Sequence, residues 1–308
     1  MPNVLVTGAT GTIGRALVPR LLDAGHHVLA LSRDAERARS LLGEGVEAYE
    51  WRQPTTERPP SEALSNAEAI VHLLGETVAQ RWSADTKTSI RESRVMSTRQ
   101  LVDGVRELPA DARPHTLVCQ SATGYYGARG EEPLDEDAPP GDDFLAQVVV
   151  EWEREASAAE SLLRVVKTRT GVVLSSSGGA LATMLPVFRL GLGGPVAGGG
   201  QYIPWVHLDD VIGPILRCLD DEDMHGPFNL TAPAPVTNRE FTKALGRVVG
   251  RPAIFPVPAL ALRALYGEMA QVILSGARAL PTRLERAGYQ FLRPELEPAL
   301  QDILARRS

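Results

Sequence analysis

The chain has 308 residues, 44% of them apolar and 5% aromatic, with two cysteines and a formal net charge of −6. That composition supports a sizeable buried core and excludes a disordered chain. The acidic balance argues against non-specific binding to nucleic acid or to an anionic membrane, while leaving room for a local basic pocket.

The first residues, Met1 to Val6, carry no basic leader and run directly into a strand pattern, and the richest apolar stretch, Ala253 to Leu265, is broken by Pro256, Pro258 and Arg263. A cytoplasmic protein is expected. Cys119 and Cys218 lie in apolar segments and read as reduced core residues. In chain order, residues 3–7 form a short apolar run ending in glycine, as a buried parallel strand does. A helix follows over 14–24, with Ile13, Leu17, Leu21 and Ala24 on one face, Pro19 set awkwardly inside it and Gly25 as its C-cap. Residues 27–31 are the next strand, and Asp34 caps a helix through Leu42. Strands over 69–74, 116–120 and 165–169 alternate with helices over 86–108 and 144–163.

Beyond this the chain changes character. Residues 175–204 are glycine-rich, and the Gly193 to Gly200 segment reads either as a flap or as a series of tight turns. A helix over 209–219, a strand over 228–230 and a Thr237-x-x-Glu240 capping box opening a helix to Val249 follow. The pattern predicts an α/β fold: a Rossmann-type doubly wound parallel sheet over residues 1–170. A smaller C-terminal mixed α/β lobe over 171–308 would return strand and helix elements to the main sheet.

The strongest motif is Thr7-Gly8-Ala9-Thr10-Gly11-Thr12-Ile13-Gly14, between the first strand and its helix. In that setting one glycine makes the tight turn, one lets a pyrophosphate approach the backbone, and one lets the helix pack on the strand. The free N–H groups of the helix N-terminus suit the phosphates. The second strand ends in Ser32-Arg33, where NAD-specific sites carry an acidic residue for the ribose. An arginine there suits a 2′-phosphate, so NADP is the expected cofactor.

The glycine spacing resembles that of the extended short-chain dehydrogenases/reductases. Further segments narrow the likeness: Gly75-Glu76, Arg81-Trp82 with Lys87, Ser93-Arg94, Ser121 to Gly127, Trp152-Glu153, Thr170 to Leu174, Trp205 to Asp210, Asn229 to Pro233 and Arg251-Pro252. Together they resemble the atypical branch labelled "epimerase family protein", sometimes SulA-like, over essentially the whole chain. The resemblance implies an NADP(H)-binding fold and brings no known substrate. It implies that Gly8, Gly11, Thr12, Ile13 and Gly14 hold the pyrophosphate and that Ser32 and Arg33 face the adenosine phosphate. Leu74, Gly75, Glu76 and Arg94 would lie near the rest of the cofactor.

Oxidising and reducing relatives use a Tyr-x-x-x-Lys pair on the helix after the serine-bearing strand. Aligned on Glu153, this chain has Leu145 and Val149 there, and neither can move a proton. The other polar candidates are Ser121 and Thr123, read as following the fifth strand, and then Tyr125 and Tyr126; a structural turn with aromatic packing is the competing reading. Lys87, Arg91 and Arg94 share a helix face that would suit an anion or simply solvent. Trp152 reads as core, His207 as a satisfied structural histidine, and no metal site is expected. The leading expectation is an NADP(H)-dependent oxidoreductase or epimerase-like enzyme acting on a small polar substrate. The alternative is a non-catalytic NADP(H)-sensing regulator. A homodimer is one candidate assembly; substrate and reaction direction are not legible.

Overall fold

Short apolar strands alternating with amphipathic helices dictate a layered α/β fold, which the computed structural model, describing residues 2–305, adopts. The first half runs β1 (Asn3–Thr7), α1 (Thr12–Asp23), β2 (His27–Ser32), α2 (Ala35–Leu42), β3 (Val46–Glu50), α3 (Ser61–Ser65), β4 (Ala69–His72), α4 (Ala84–Glu107), β5 (Thr116–Ala122), β6 (Pro133–Leu134), α5 (Phe144–Ser157) and β7 (Arg164–Thr170). The second continues through β8 (Val172–Leu174), α6 (Gly179–Arg189), β9 (Tyr202–Ile203), β10 (Trp205–His207), α7 (Asp209–Asp220), β11 (Gly226–Leu230), β12 (Val236–Thr237), α8 (Asn238–Val249), α9 (Ala259–Tyr266), α10 (Ala270–Leu274), β13 (Arg278–Ala279), α11 (Thr282–Arg286) and α12 (Leu296–Ala305).

Seven strands make one all-parallel sheet in the order β11-β7-β5-β4-β1-β2-β3. Alternate residues along each strand serve opposite faces. Val4, Val6, Val28, Val71 and Val118 pack into a core shared with α1 and α7. Leu5, Leu29, Ile70, Leu117 and Cys119 pack into a second core with α4 and α5. A third core, built on Leu174, Leu185, Phe188, Trp205, Phe241 and Leu300, gathers residues from the second half of the chain. Burial on both faces explains why these strands read as unbroken apolar runs.

The winding reverses between β1 and β4, and in open α/β sheets ligands bind beyond the carboxyl ends of the strands at such a point. Register fixes what arrives there. Thr7 pairs with Leu31 of β2 and with His72 of β4, and His72 pairs with Cys119 of β5. The glycine loop, Arg33 and Leu73 to Glu76 therefore leave the sheet at one level, while β5 runs three residues further, through Gln120 to Ala122, paired with β7.

Several local expectations are corrected. β3 is an additional strand, short and half polar in sequence (Val-Glu-Ala-Tyr-Glu) because only one of its faces is well covered. The strand expected over 69–74 ends at His72, and the helix expected to reach Leu163 stops at Ser157, followed by turns. α6 lies inside the glycine-rich stretch 175–204, for which the sequence offered no helix. The Gly193 to Gly200 segment is a set of pinned turns: Val196 N donates to Asn238 Oδ1 at 2.8 Å, and Val257 N to the Pro195 carbonyl at 2.9 Å. The capping box closes as the sequence predicts, and Asp34 caps α2 through Arg37 N. Pro19 stays inside α1 and nothing in the structure explains it. Trp152 is core, and both cysteines are buried and unbridged. Among the described residues no helix is long and apolar enough to cross a membrane.

Candidate functional site

The glycine loop begins where β1 stops. Gly8 has a φ of +66°, a conformation L side chains rarely adopt, and Gly14 packs so closely on the Gly8–Ala9 backbone that a Cβ has no room. Gly11 differs: its φ is −76°, and a Cβ there would meet only the Gly8 carbonyl oxygen, at 3.2 Å. The fold thus demands glycine outright at 8 and 14, whereas at 11, exposed at the N-terminus of α1, a Cβ would require only that the Gly8 carbonyl oxygen give by a few tenths of an ångström. Thr12 lies against Gly178, so the segment leading into α6 touches the loop.

Beneath the loop a buried histidine bolts β1 to β4. His72 Nδ1 bonds Thr7 Oγ1 at 2.8 Å and Nε2 bonds Thr98 Oγ1 at 3.1 Å, while Thr7 Oγ1 also accepts from Leu73 N at 3.1 Å. Complete burial drives the His72 pKa down to about 3, so it is neutral at physiological pH. At the tip of β2, Ser32 Oγ accepts from Asp34 N at 3.2 Å, and Arg33 is exposed with no hydrogen bond or ion pair to any described residue.

Next along the crest lies a cavity of roughly 220 Å³. Its apolar wall comes chiefly from Leu73, Val173 and α5, through Leu145, Val148, Val149 and Trp152; Arg94, Gln120, Ser121 and Thr170 supply polar side chains. Leu145 and Val149, where relatives place the proton-transferring pair, thus face this cavity. Arg94 comes from α4 and is held under the end of β4: Nη2 donates to the Glu76 carbonyl at 2.9 Å and Nη1 to the Ile90 carbonyl at 3.0 Å. Burial pulls its pKa down to about 10, which still leaves it charged. The three cations expected on one helix face diverge. Lys87 pairs with Glu268 and Arg91 with Glu151, which leaves Arg94 alone of the three on the cavity.

The serine-bearing segment splits in the same way. Ser121 lies inside β5, not after it, and lines the cavity; Thr123, Tyr125 and Tyr126 belong to a 3-10 turn that reaches the cavity only through Gly124. Ser121 Oγ donates to Glu153 Oε1 at 2.6 Å. Arg169 clamps that carboxylate from β7, Nε to Oε1 at 2.8 Å and Nη2 to Oε2 at 2.9 Å. Its guanidinium also stacks 3.5 Å from the centroid of the Tyr125 ring and donates to Tyr126 Oη at 3.1 Å. Burial alone would lower the Arg169 pKa, but Glu153 and Tyr126 outweigh it and raise it above the usual arginine range. Tyr126 is wholly buried and donates to Asn229 Oδ1 at 2.7 Å; burial pushes its hydroxyl up to about 12. Glu136 closes the network, accepting from Asn229 N at 3.0 Å and Arg283 N at 3.2 Å. The sequence singled out neither Arg169 nor Glu136, and Glu153 served only as an alignment mark. Charged residues inside otherwise apolar strand and helix patterns were the available signal.

His207, at the end of β10, is 2% exposed, with Nδ1 accepting from Asp209 N at 3.1 Å and Nε2 3.3 Å from Asp302 Oδ2. Arg293 also pairs with Asp302, at 2.8 Å.

The chain matches the model of the NAD dependent epimerase/dehydratase family over residues 4–230, and a domain of unknown function over 257–303. It is 43% identical over 94% of its length to the epimerase family protein Mb2239 of Mycobacterium bovis, covering 93% of that protein. It is 39% identical to the chloroplastic epimerase family protein SDR39U1 homolog of Arabidopsis thaliana, over 98% of this chain and 86% of that one. A crystal structure of human epimerase family protein SDR39U1 (isoform 2) with NADPH superposes with a TM-score of 0.87 at 34% identity, covering 99% of this chain and 100% of that one.

Proposed function

Since this chain belongs to the NAD dependent epimerase/dehydratase family, alongside the epimerase family proteins, we propose that it binds NADP(H) along the crest of its sheet and acts there as an epimerase-like oxidoreductase on a small polar molecule. The observation that carries the reading is the glycine loop itself: Gly8, Gly11 and Gly14 bring bare backbone to a helix N-terminus at a sheet reversal. NADPH bound to the human relative supports the choice of cofactor.

In this reading Gly8, Gly11, Thr12, Ile13 and Gly14 hold the pyrophosphate, Ser32 and Arg33 take the 2′-phosphate, and Leu74, Gly75, Glu76 and Arg94 line the remainder. The cofactor, when bound, supplies or accepts a hydride. The chain's own residues orient the ligand and exclude water: the α5 wall keeps the cavity apolar, and Ser121 supplies a fixed hydroxyl. Of the four candidates for catalysis, Ser121 borders the cavity, whereas Thr123, Tyr125 and Tyr126 support it from behind. We assign the smaller lobe, residues 171–308, to closing the substrate side, with α7 and β11 returning to the main sheet. The plant relative's name is chloroplastic, so the family leaves the compartment open, and cytoplasmic placement of this chain rests on its sequence alone.

One observation favours the second reading, a non-catalytic NADP(H) sensor: Leu145 and Val149 leave the α5 face with no ionisable group. Calorimetry with NADPH tests the shared premise. Wild type binds and Gly11→Val does not, with an unchanged circular dichroism spectrum; retained binding in the variant would make the loop structural only. A substrate screen followed by NADPH absorbance then separates enzyme from sensor.

A further inference from the structure

Of the described residues that line the crest cavity, only Arg94 carries a charge. Its guanidinium is anchored but not paired. Nη2 donates to the Glu76 carbonyl at 2.9 Å and Nη1 to the Ile90 carbonyl at 3.0 Å, and no described carboxylate forms an ion pair with it. A guanidinium has more N–H groups than these two bonds use, and the one on Nε is among those left without an acceptor. Gly75 makes room for it, since a Cβ at that position would lie 3.0 Å from Cζ. On the same wall the Trp152 ring centroid lies 5.4 Å from Cζ, and the Trp152 indole N–H is itself buried without a hydrogen-bond partner. The neighbouring carboxylates do not fill the gap. Glu76 is exposed, with Oε1 accepting from Thr77 N at 3.2 Å, and Glu153, behind Ser121, is clamped through both oxygens by Arg169.

A cation withdrawn from water without a counter-ion costs free energy that a bound anion offsets. The anionic groups of the cofactor have partners elsewhere in the proposed binding mode: the pyrophosphate at the glycine loop and the 2′-phosphate at Arg33, and none of those residues lines this cavity. The charge of Arg94 is left for a second molecule. We propose that Arg94 receives a substrate carboxylate, so that the cavity takes a small organic acid whose apolar body lies against Leu145, Val148 and Val149. The planar fork of a guanidinium matches the two oxygens of a carboxylate. The inference rests on the reading of the crest as a ligand site and deepens it by naming the substrate class. Lining the cofactor and holding the acid are compatible, because the carboxylate needs only the N–H groups that the two backbone carbonyls leave free.

Benzoate and benzamide are suitable probes, since they share a shape and differ in charge. A benzene ring fits an apolar cavity of ~150 Å³, which leaves space for the carboxylate in the roughly 220 Å³ here. Their affinities are measured by ligand-observed NMR on the full chain, with and without saturating NADPH. Wild type is expected to prefer benzoate roughly 10- to 150-fold, the worth of one charged hydrogen bond, and to keep that preference with NADPH bound. Arg94→Met removes the charge and keeps an apolar stem, and it should bring the ratio to near parity. Arg94→Lys keeps the charge and loses the fork, so the ratio should fall part of the way; it decides the matter if the methionine variant does not fold. A wild type that takes benzamide as well as benzoate overturns the proposal. So does a preference undiminished in Arg94→Met, or in Arg94→Lys where only that variant folds, and so does failure of both probes to bind. Displacement of benzoate by NADPH also overturns it, by giving the charge to the cofactor. NADPH calorimetry on the same samples keeps the two readings apart: intact cofactor binding with any of those outcomes sinks the carboxylate alone, whereas a wild type that binds no NADPH sinks the reading of the crest.

Discussion

Replacing His72 with glutamine should change how the protein responds to acid. The unfolded chain takes up a proton on histidine near pH 6.5, whereas the folded chain refuses it until about pH 3, because the ring is completely buried between Thr7 and Thr98. The folded pKa is depressed, so the contribution to stability is fully present above pH 6.5 and drains away as pH falls. Each pH unit below 6.5 costs ~1.4 kcal/mol. Over the whole window between 6.5 and 3 this amounts to about 5 kcal/mol, a large share of an ordinary folding free energy. Between pH 7 and pH 5 the wild type should lose ~2 kcal/mol that His72→Gln does not. Urea unfolding followed by circular dichroism at the two pH values measures it, with each protein serving as its own reference. The variant starts less stable, because it disturbs the bond to Thr7, but its slope against pH should be shallower. Parallel slopes for the two proteins would refute the reasoning and assign the acid sensitivity to the carboxylates.

Other variants probe the crest. Arg33→Ala should leave stability unchanged, since the side chain is exposed and bonded to nothing in the fold, while the preference for NADPH over NADH drops roughly 10- to 150-fold, the worth of one charged hydrogen bond; calorimetry with both nucleotides that gives an unchanged ratio would remove Arg33 from the cofactor. Arg169→Ala abandons a buried Glu153 and should cost ~3–5 kcal/mol in urea unfolding, and Glu153→Leu added to it should recover most of that loss. Tyr126→Phe removes a hydroxyl bonded to Asn229 and Arg169 and should cost ~1–3 kcal/mol while NADPH affinity stays put; the opposite pattern would make Tyr126 a ligand contact.

The strands of the main sheet were legible because burial on both faces writes itself as an apolar run, and the glycine loop because its spacing is local. β3 was invisible for the converse reason: at the edge of the sheet it buries only Val46 and Ala48 and exposes Glu47 and Glu50, a short pattern that resembles loop. α6 was hidden by the glycines around it, although Leu181, Leu185 and Phe188 mark its buried face. In the candidate site, Ser121 could be named from its neighbours, but not its partners. Glu153 and Arg169 are 16 residues apart on different elements, and only the packing of α5 against β7 brings them together. The grouping of Lys87, Arg91 and Arg94 failed for a related reason: helical spacing gives a shared face, not a shared partner.

The last strand to join the main sheet, β11, arrives some sixty residues after the strand it flanks, and its pairing with β7 has a practical consequence for anyone dividing the chain. A fragment ending at residue 170 would retain every residue of the glycine loop yet leave five residues of β7, Val166 to Thr170, as a bare flank. Such a flank offers an unfilled row of amide and carbonyl groups to any extended peptide that meets it. During synthesis the same row stands open until residue 230 has emerged. The sheet that carries the nucleotide loop is therefore safest when made whole, and the half-chain should be sticky and prone to swap strands with its copies.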